Sequence, residues 1–97
     1  MNKSPTILLV DDDPRWLDTL SNRLARLGYK VSTAQSAHEA QQLAAIEHPA
    51  MILVDRGLPG DGAFGRQVLR QLRDASSVAG IPVLMTSARH RHASFPS

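Results

Sequence analysis

Two apolar runs along the chain end in acid. Ile7-Leu8-Leu9-Val10 runs into Asp11-Asp12-Asp13, and Met51-Ile52-Leu53-Val54 runs into Asp55. Unbroken stretches of β-branched and long aliphatic residues read as strands buried on both faces of a sheet. The turn formers in Arg56-Gly57-Leu58-Pro59-Gly60-Asp61-Gly62 stop the second of these strands and open a loop. Between the two runs the apolar positions take up helical spacing. Trp16, Leu17, Leu20, Leu24 and Leu27 fall within one arc of about 100° at helical spacing, the stripe of a helix lying on a sheet. Asp13-Pro14 opens that helix, with Asp suited to the cap and Pro to the first turn, and Gly28 stops it.

The remainder of the chain repeats this alternation. Tyr29 to Ala34, carrying Val31 and Thr33, reads as a strand at a sheet edge. Ser36-Ala37-His38-Glu39 matches a capping box and announces a helix through Ala37, Ala40, Leu43 and Ala44. That helix must end before Pro49, which disfavours helical geometry at His48. Phe64, Val68, Leu72 and Ala75 form the apolar face of a third helix, with Arg66, Arg70 and Arg73 within about 60° of one another on the opposite side. Ser76 to Gly80 breaks it, and residues 81–86 read as a fourth strand with Pro82 near its start. Ser87 to Ser97 has no apolar periodicity, and residues 89–97 are expected to be a disordered tail of one domain covering 1–97.

An order β-α-β-α-β-α-β with short connections predicts an α/β fold, a parallel sheet wrapped on both faces. Its flavodoxin-like, doubly wound form has strand order 2-1-3-4, which sets strands one and three side by side with their C-terminal ends lining the crevice where ligands bind. In that topology Asp11, Asp12 and Asp55 converge. Composition changes this picture little. At 42% hydrophobic and 21% charged, the chain is an ordinary globular one, with no cysteine for a disulfide or thiolate site. No stretch approaches the roughly 18 apolar residues of a membrane span, so the expected location is the cytoplasm. The net charge of +2 is small, and three of the nine acids sit in one run, which fits a basic shell around an acidic pocket and not a nucleic-acid surface.

Carboxylates crowded together raise one another's pKa, and a divalent cation removes that cost. Mg²⁺ favours hard oxygen ligands and is commonly held by one or two carboxylates together with a phosphate, so such a cluster suits metal-assisted phosphoryl chemistry. The segments that carry this pattern are Ile7-Leu8-Leu9-Val10-Asp11-Asp12-Asp13-Pro14, Gly28-Tyr29, Ile52-Leu53-Val54-Asp55 with Leu58-Pro59, and Pro82-Val83-Leu84-Met85-Thr86-Ser87-Ala88. In this order and spacing they resemble a response-regulator receiver domain of two-component signalling. The resemblance implies a module, not an enzyme beyond its own phosphorylation, that takes a phosphoryl group from a histidine kinase or phosphotransfer protein. It implies Asp55 as phosphoacceptor, with Asp11, Asp12, Asp55 and the main-chain carbonyl of Gly57 as ligands of Mg²⁺. Ser87 stands at the position of the switch hydroxyl, with Thr86 as the second candidate.

The chain departs from the resembled pattern at its C-terminus. Receivers continue with a helix, a strand ending in lysine and a last helix, which would need roughly 30 residues. Only nine follow Ala88, and neither Lys3 nor Lys30 lies near such a position. The expectation is therefore a C-terminally truncated receiver whose fourth strand is an exposed apolar edge, inviting a homodimer. Two other readings stay open. One is a phosphorylation-independent interaction module. The other is a haloacid-dehalogenase-like phosphatase, whose opening motif Asp11-x-Asp13 also fits and which would make Asp11 the nucleophile. His90 and His92 are assigned to the tail and not to a metal site, His38 and His48 to solvent, and Trp16 to partial burial.

Overall fold

A computed structural model describes residues 5–55 and 63–86. Four strands and three helices alternate in it: β1 (Thr6–Val10), α1 (Pro14–Arg26), β2 (Lys30–Ala34), α2 (Ala37–Glu47), β3 (Met51–Asp55), α3 (Ala63–Arg73) and β4 (Val83–Thr86), with a single 3-10 turn over Ser76–Val78 before β4. The strands form one parallel sheet in the order β2-β1-β3-β4, as the alternation predicts. β1 lies in the middle, pairing Leu8 with Ser32 on one side and with Ile52 on the other.

Because successive residues of a strand point to opposite faces, the sheet makes two cores. Leu8, Val10, Ile52 and Val54 face α2 and α3 and pack against Ala37, Ala40, Ala44, Val68 and Leu72. Ile7 and Leu9 face α1 and pack with Leu17, joined by the half-buried Leu20, Leu24, Val31, Met51 and Leu53. Each predicted helical stripe is therefore the buried one, with one exception. Leu27 is 72% exposed because it lies past the last turn of α1, at the helix cap, where the periodicity no longer applies.

The helix ends follow the sequence signals closely. Asp13 caps α1, its Oδ1 accepting from the N–H of Arg15 at 3.0 Å, and Pro14 occupies the first turn. At the other end Gly28 takes φ +99°, and the N–H groups of Gly28 and Tyr29 donate to the carbonyls of Ala25 and Leu24. Ser36 Oγ accepts from the N–H of Glu39 at 3.1 Å, while Glu39 Oε1 accepts from the N–H of Gln35, one residue further back than the simplest capping box. α2 stops at Glu47 because His48 turns left-handed at φ 48°, a short exit into Pro49.

Two strand limits differ from expectation. β2 begins at Lys30, not Tyr29, and β4 begins at Val83, not Ile81. Pro82 explains the second, since it has no N–H for the ladder. Its carbonyl still accepts from Ile52 N–H at 2.9 Å, so it adjoins the sheet without being part of it. Among the described residues, no helix is long and apolar enough to cross a membrane.

Candidate functional site

The candidate site is built where β1 and β3 end. The N–H of Asp11 donates to the carbonyl of Ala34 at 3.1 Å, carrying the β1–β2 ladder one residue past β1 and fixing the backbone there. Val10 pairs with Val54, and the residues that follow these two are Asp11 and Asp55, the last residue of β3. On its far side Asp55 pairs with Thr86 at the end of β4. Backbone pairing alone thus brings three of the predicted positions to one edge of the sheet.

The three consecutive acids have three different environments. Asp11 is 1% exposed, the one buried polar residue among those described. Asp12 is exposed, and Asp13 is half-buried with its carboxylate engaged on the end of α1. A carboxylate run that looks uniform in sequence is therefore divided between a fixed group, a solvent-facing group and a helix cap. The buried carbonyl-bonded backbone of Asp11 could not have been foreseen from its own neighbours, because the partner, Ala34, comes from β2.

Asp11 and Asp12 offer hard oxygen donors on consecutive residues, one fixed and one open to solvent, and this donor set fits Mg²⁺. Among the described residues no three acidic or imidazole side chains gather as a metal cluster. The predicted ligand Gly57 and switch hydroxyl Ser87 lie outside the described residues, as do His90 and His92. Thr86 closes β4. His38 and His48 are exposed and Trp16 is half-buried, as expected.

A parallel α/β module with acids at the C-terminal ends of adjacent central strands belongs to the class that binds its ligands at the edge of an open sheet. Within that class, residues 7–95 match the response regulator receiver domain model, and the chain belongs to that family. It is 39% identical over 84 residues to the DNA-binding dual master transcriptional regulator RpaA of Synechocystis, covering 87% of this chain and 34% of the relative. It is 32% identical over 83 residues to Protein PilH of Pseudomonas aeruginosa, covering 86% of this chain and 67% of the relative. Among solved structures, it matches the N-terminal domain of a response regulator receiver protein from Methanoculleus marisnigri with TM-score 0.71 and 31% identity, covering 86% of this chain and 66% of that one. The chain thus spans about a third of the length of several curated relatives it matches. The family is one of two-component signal transduction, and its receiver domains are signalling modules and not enzymes in the usual sense.

Proposed function

We propose that the chain is a phospho-accepting module, with Asp55 taking a phosphoryl group from a phosphohistidine on a histidine kinase or phosphotransfer protein in the cytoplasm. The observation that carries this reading is the β1–β3 register, Val10 opposite Val54, in a chain of the receiver family. In the transfer, a carboxylate oxygen of Asp55 attacks phosphorus, a P–O bond forms, and the P–N bond to the donor imidazole breaks. The imidazole nitrogen keeps the electron pair and takes up a proton, leaving an acyl phosphate on Asp55. Asp11, Asp12, Asp55 and the Gly57 carbonyl would hold Mg²⁺, which supplies neutralisation of the phosphoryl charge when bound. Asp11 contributes a carboxylate already withdrawn from water, and Asp12 one that solvent can reach. Ser87, or Thr86 in its place, would donate its hydroxyl to the new phosphoryl group and so report the modification beyond the site.

The test uses Mg²⁺ with acetyl phosphate or beryllofluoride and locates the modified or perturbed aspartate by mass or NMR. Modification at Asp55, lost in Asp55→Asn, is the expected result. An adduct on Asp11 would transfer the nucleophile's role to that residue, as in a haloacid-dehalogenase-like phosphatase, and no adduct under saturating Mg²⁺ would leave an interaction module. The exposed Leu84 on β4, an edge strand of the described sheet, supports pairing with a second copy of the chain.

A further inference from the structure

The bonds that close the β1–β2 ladder fall on a single peptide group. The carbonyl of Ala34 accepts from Asp11 N–H at 3.1 Å. The N–H of Gln35, in the same planar unit, donates to Glu39 Oε1 at 2.9 Å. A trans peptide points its C=O and N–H in opposite directions, so one bond faces β1 and the other faces away from it. β2 is an end strand of the described sheet, and on its outer side the acceptor comes from the first turn of α2 and not from a neighbouring strand. Glu39 thus holds this peptide from the side that a further strand would hold in the middle of a sheet.

Helix capping alone does not ask this of Glu39. In a capping box the glutamate at the third helical position returns to the N–H of the cap residue itself, here Ser36. Ser36 Oγ does accept from Glu39 N–H at 3.1 Å, yet the Glu39 carboxylate reaches past Ser36 to Gln35. One half of the box serves the helix and the other half serves the end of β2. A carboxylate accepting from an amide makes a charge-assisted bond, and bonds in series through one peptide strengthen one another by roughly 10–30% each. What lies at the other end of the series is Asp11, a residue 1% exposed and a candidate ligand whose backbone must be fixed for its oxygens to be placed.

We propose that Glu39 is a positioning residue for Asp11, acting through the Ala34–Gln35 peptide to fix the backbone from which Asp11 offers its carboxylate to Mg²⁺. The role at the ion rests on the phospho-accepting reading, whereas the hold on the backbone does not. The test is amide hydrogen exchange by NMR on the full chain, with Mg²⁺ affinity measured on the same samples. In Glu39→Ala the Asp11 amide should exchange about tenfold faster than in the parent, while the Lys30 amide, bonded to the Pro5 carbonyl at the other end of the ladder, keeps its rate. Glu39→Gln retains an acceptor oxygen and should restore most of the protection. Ser36→Ala removes the helix-capping half alone and controls for lost stability of α2, so it should accelerate Asp11 less than Glu39→Ala does. Mg²⁺ should bind about threefold more weakly in Glu39→Ala, less than the roughly tenfold expected when a group bonded directly to a ligand is lost. Unchanged exchange at Asp11 in Glu39→Ala overturns the proposal, as does a failure of Glu39→Gln to restore it. So does equal acceleration at Lys30 or in Ser36→Ala, and so does unaltered Mg²⁺ affinity in Glu39→Ala beside a parent that binds the ion. A parent that binds no Mg²⁺ overturns the functional reading and with it the role at the ion, and the exchange comparison still decides whether Glu39 holds Asp11.

Discussion

At the scale of single residues, burial separates side chains that look alike in the sequence. Asp11 and Asp12 are neighbours of identical chemistry, yet one is sealed into the sheet edge and the other is open to water. If both hold Mg²⁺, Asp11→Asn and Asp12→Asn should each weaken its binding about tenfold or more, measured by calorimetry or by the fluorescence of Trp16 in the first turn of α1. Equal Mg²⁺ affinity in Asp11→Asn and the parent would remove Asp11 from the ligand set. Core residues obey a different rule. Leu72 is fully buried on α3, so Leu72→Ala removes apolar contacts and leaves a cavity, which should cost roughly 2–5 kcal/mol in denaturant unfolding. The apolar character of Leu72 is readable from helical spacing, whereas the burial of Asp11 is not, because it depends on a strand met more than twenty residues later in the chain.

At the scale of elements, the ends are as informative as the middles. Gly28 stands at φ +99° with open space around the position its Cβ would take, so the strain of Gly28→Ala is purely that of the backbone. It should cost about 1 kcal/mol, against a near-zero cost if the turn relaxed. Ser36→Ala removes the acceptor for Glu39 N–H and should cost about 1 kcal/mol, while Ser36→Asp should retain most of the stability; thermal unfolding measures both. These signals were legible because capping chemistry is local, involving residues two to four apart. Where partners are distant the sequence is a poorer guide. The limits of β2 and β4 depend on which N–H groups meet a neighbouring strand, and hydropathy alone extends β4 across Pro82. Strand order lies between these cases. Two buried runs ending in acid suggested adjacency, and right-handed crossovers with short loops left few alternatives to the order β2-β1-β3-β4.

At the scale of the whole molecule, the described helices cover the two faces of the sheet unequally. α2 and α3 lie over one face, whereas α1 packs mainly on β1 and β2 of the other, and Leu84 of β4 remains 50% exposed. Leu53, paired with Leu84 across β3 and β4, is only half-buried on that same face. β4 is an edge strand of the described sheet, and pairing it with a second copy would cover Leu84, but magnitude decides how strongly. Burying the exposed half of one leucine gives about 1 kcal/mol, whereas micromolar affinity needs about 8 kcal/mol beyond the losses of association. Leu84 can therefore seed a dimer only with backbone pairing along β4, and a four-residue strand supplies few such bonds. The expected state is a weak, concentration-dependent dimer, visible by light scattering or sedimentation only at tens of micromolar and above. Leu84→Lys places a charge on an edge strand of the described sheet and should shift that equilibrium to monomer while leaving Mg²⁺ binding unchanged, since Leu84 pairs with Leu53, two residues before Asp55. A monomer at every concentration would show that this edge does not pair. Dimerisation undiminished in Leu84→Lys would move the interface off β4, to a face where the exposed Ile46 of α2 is the next apolar anchor.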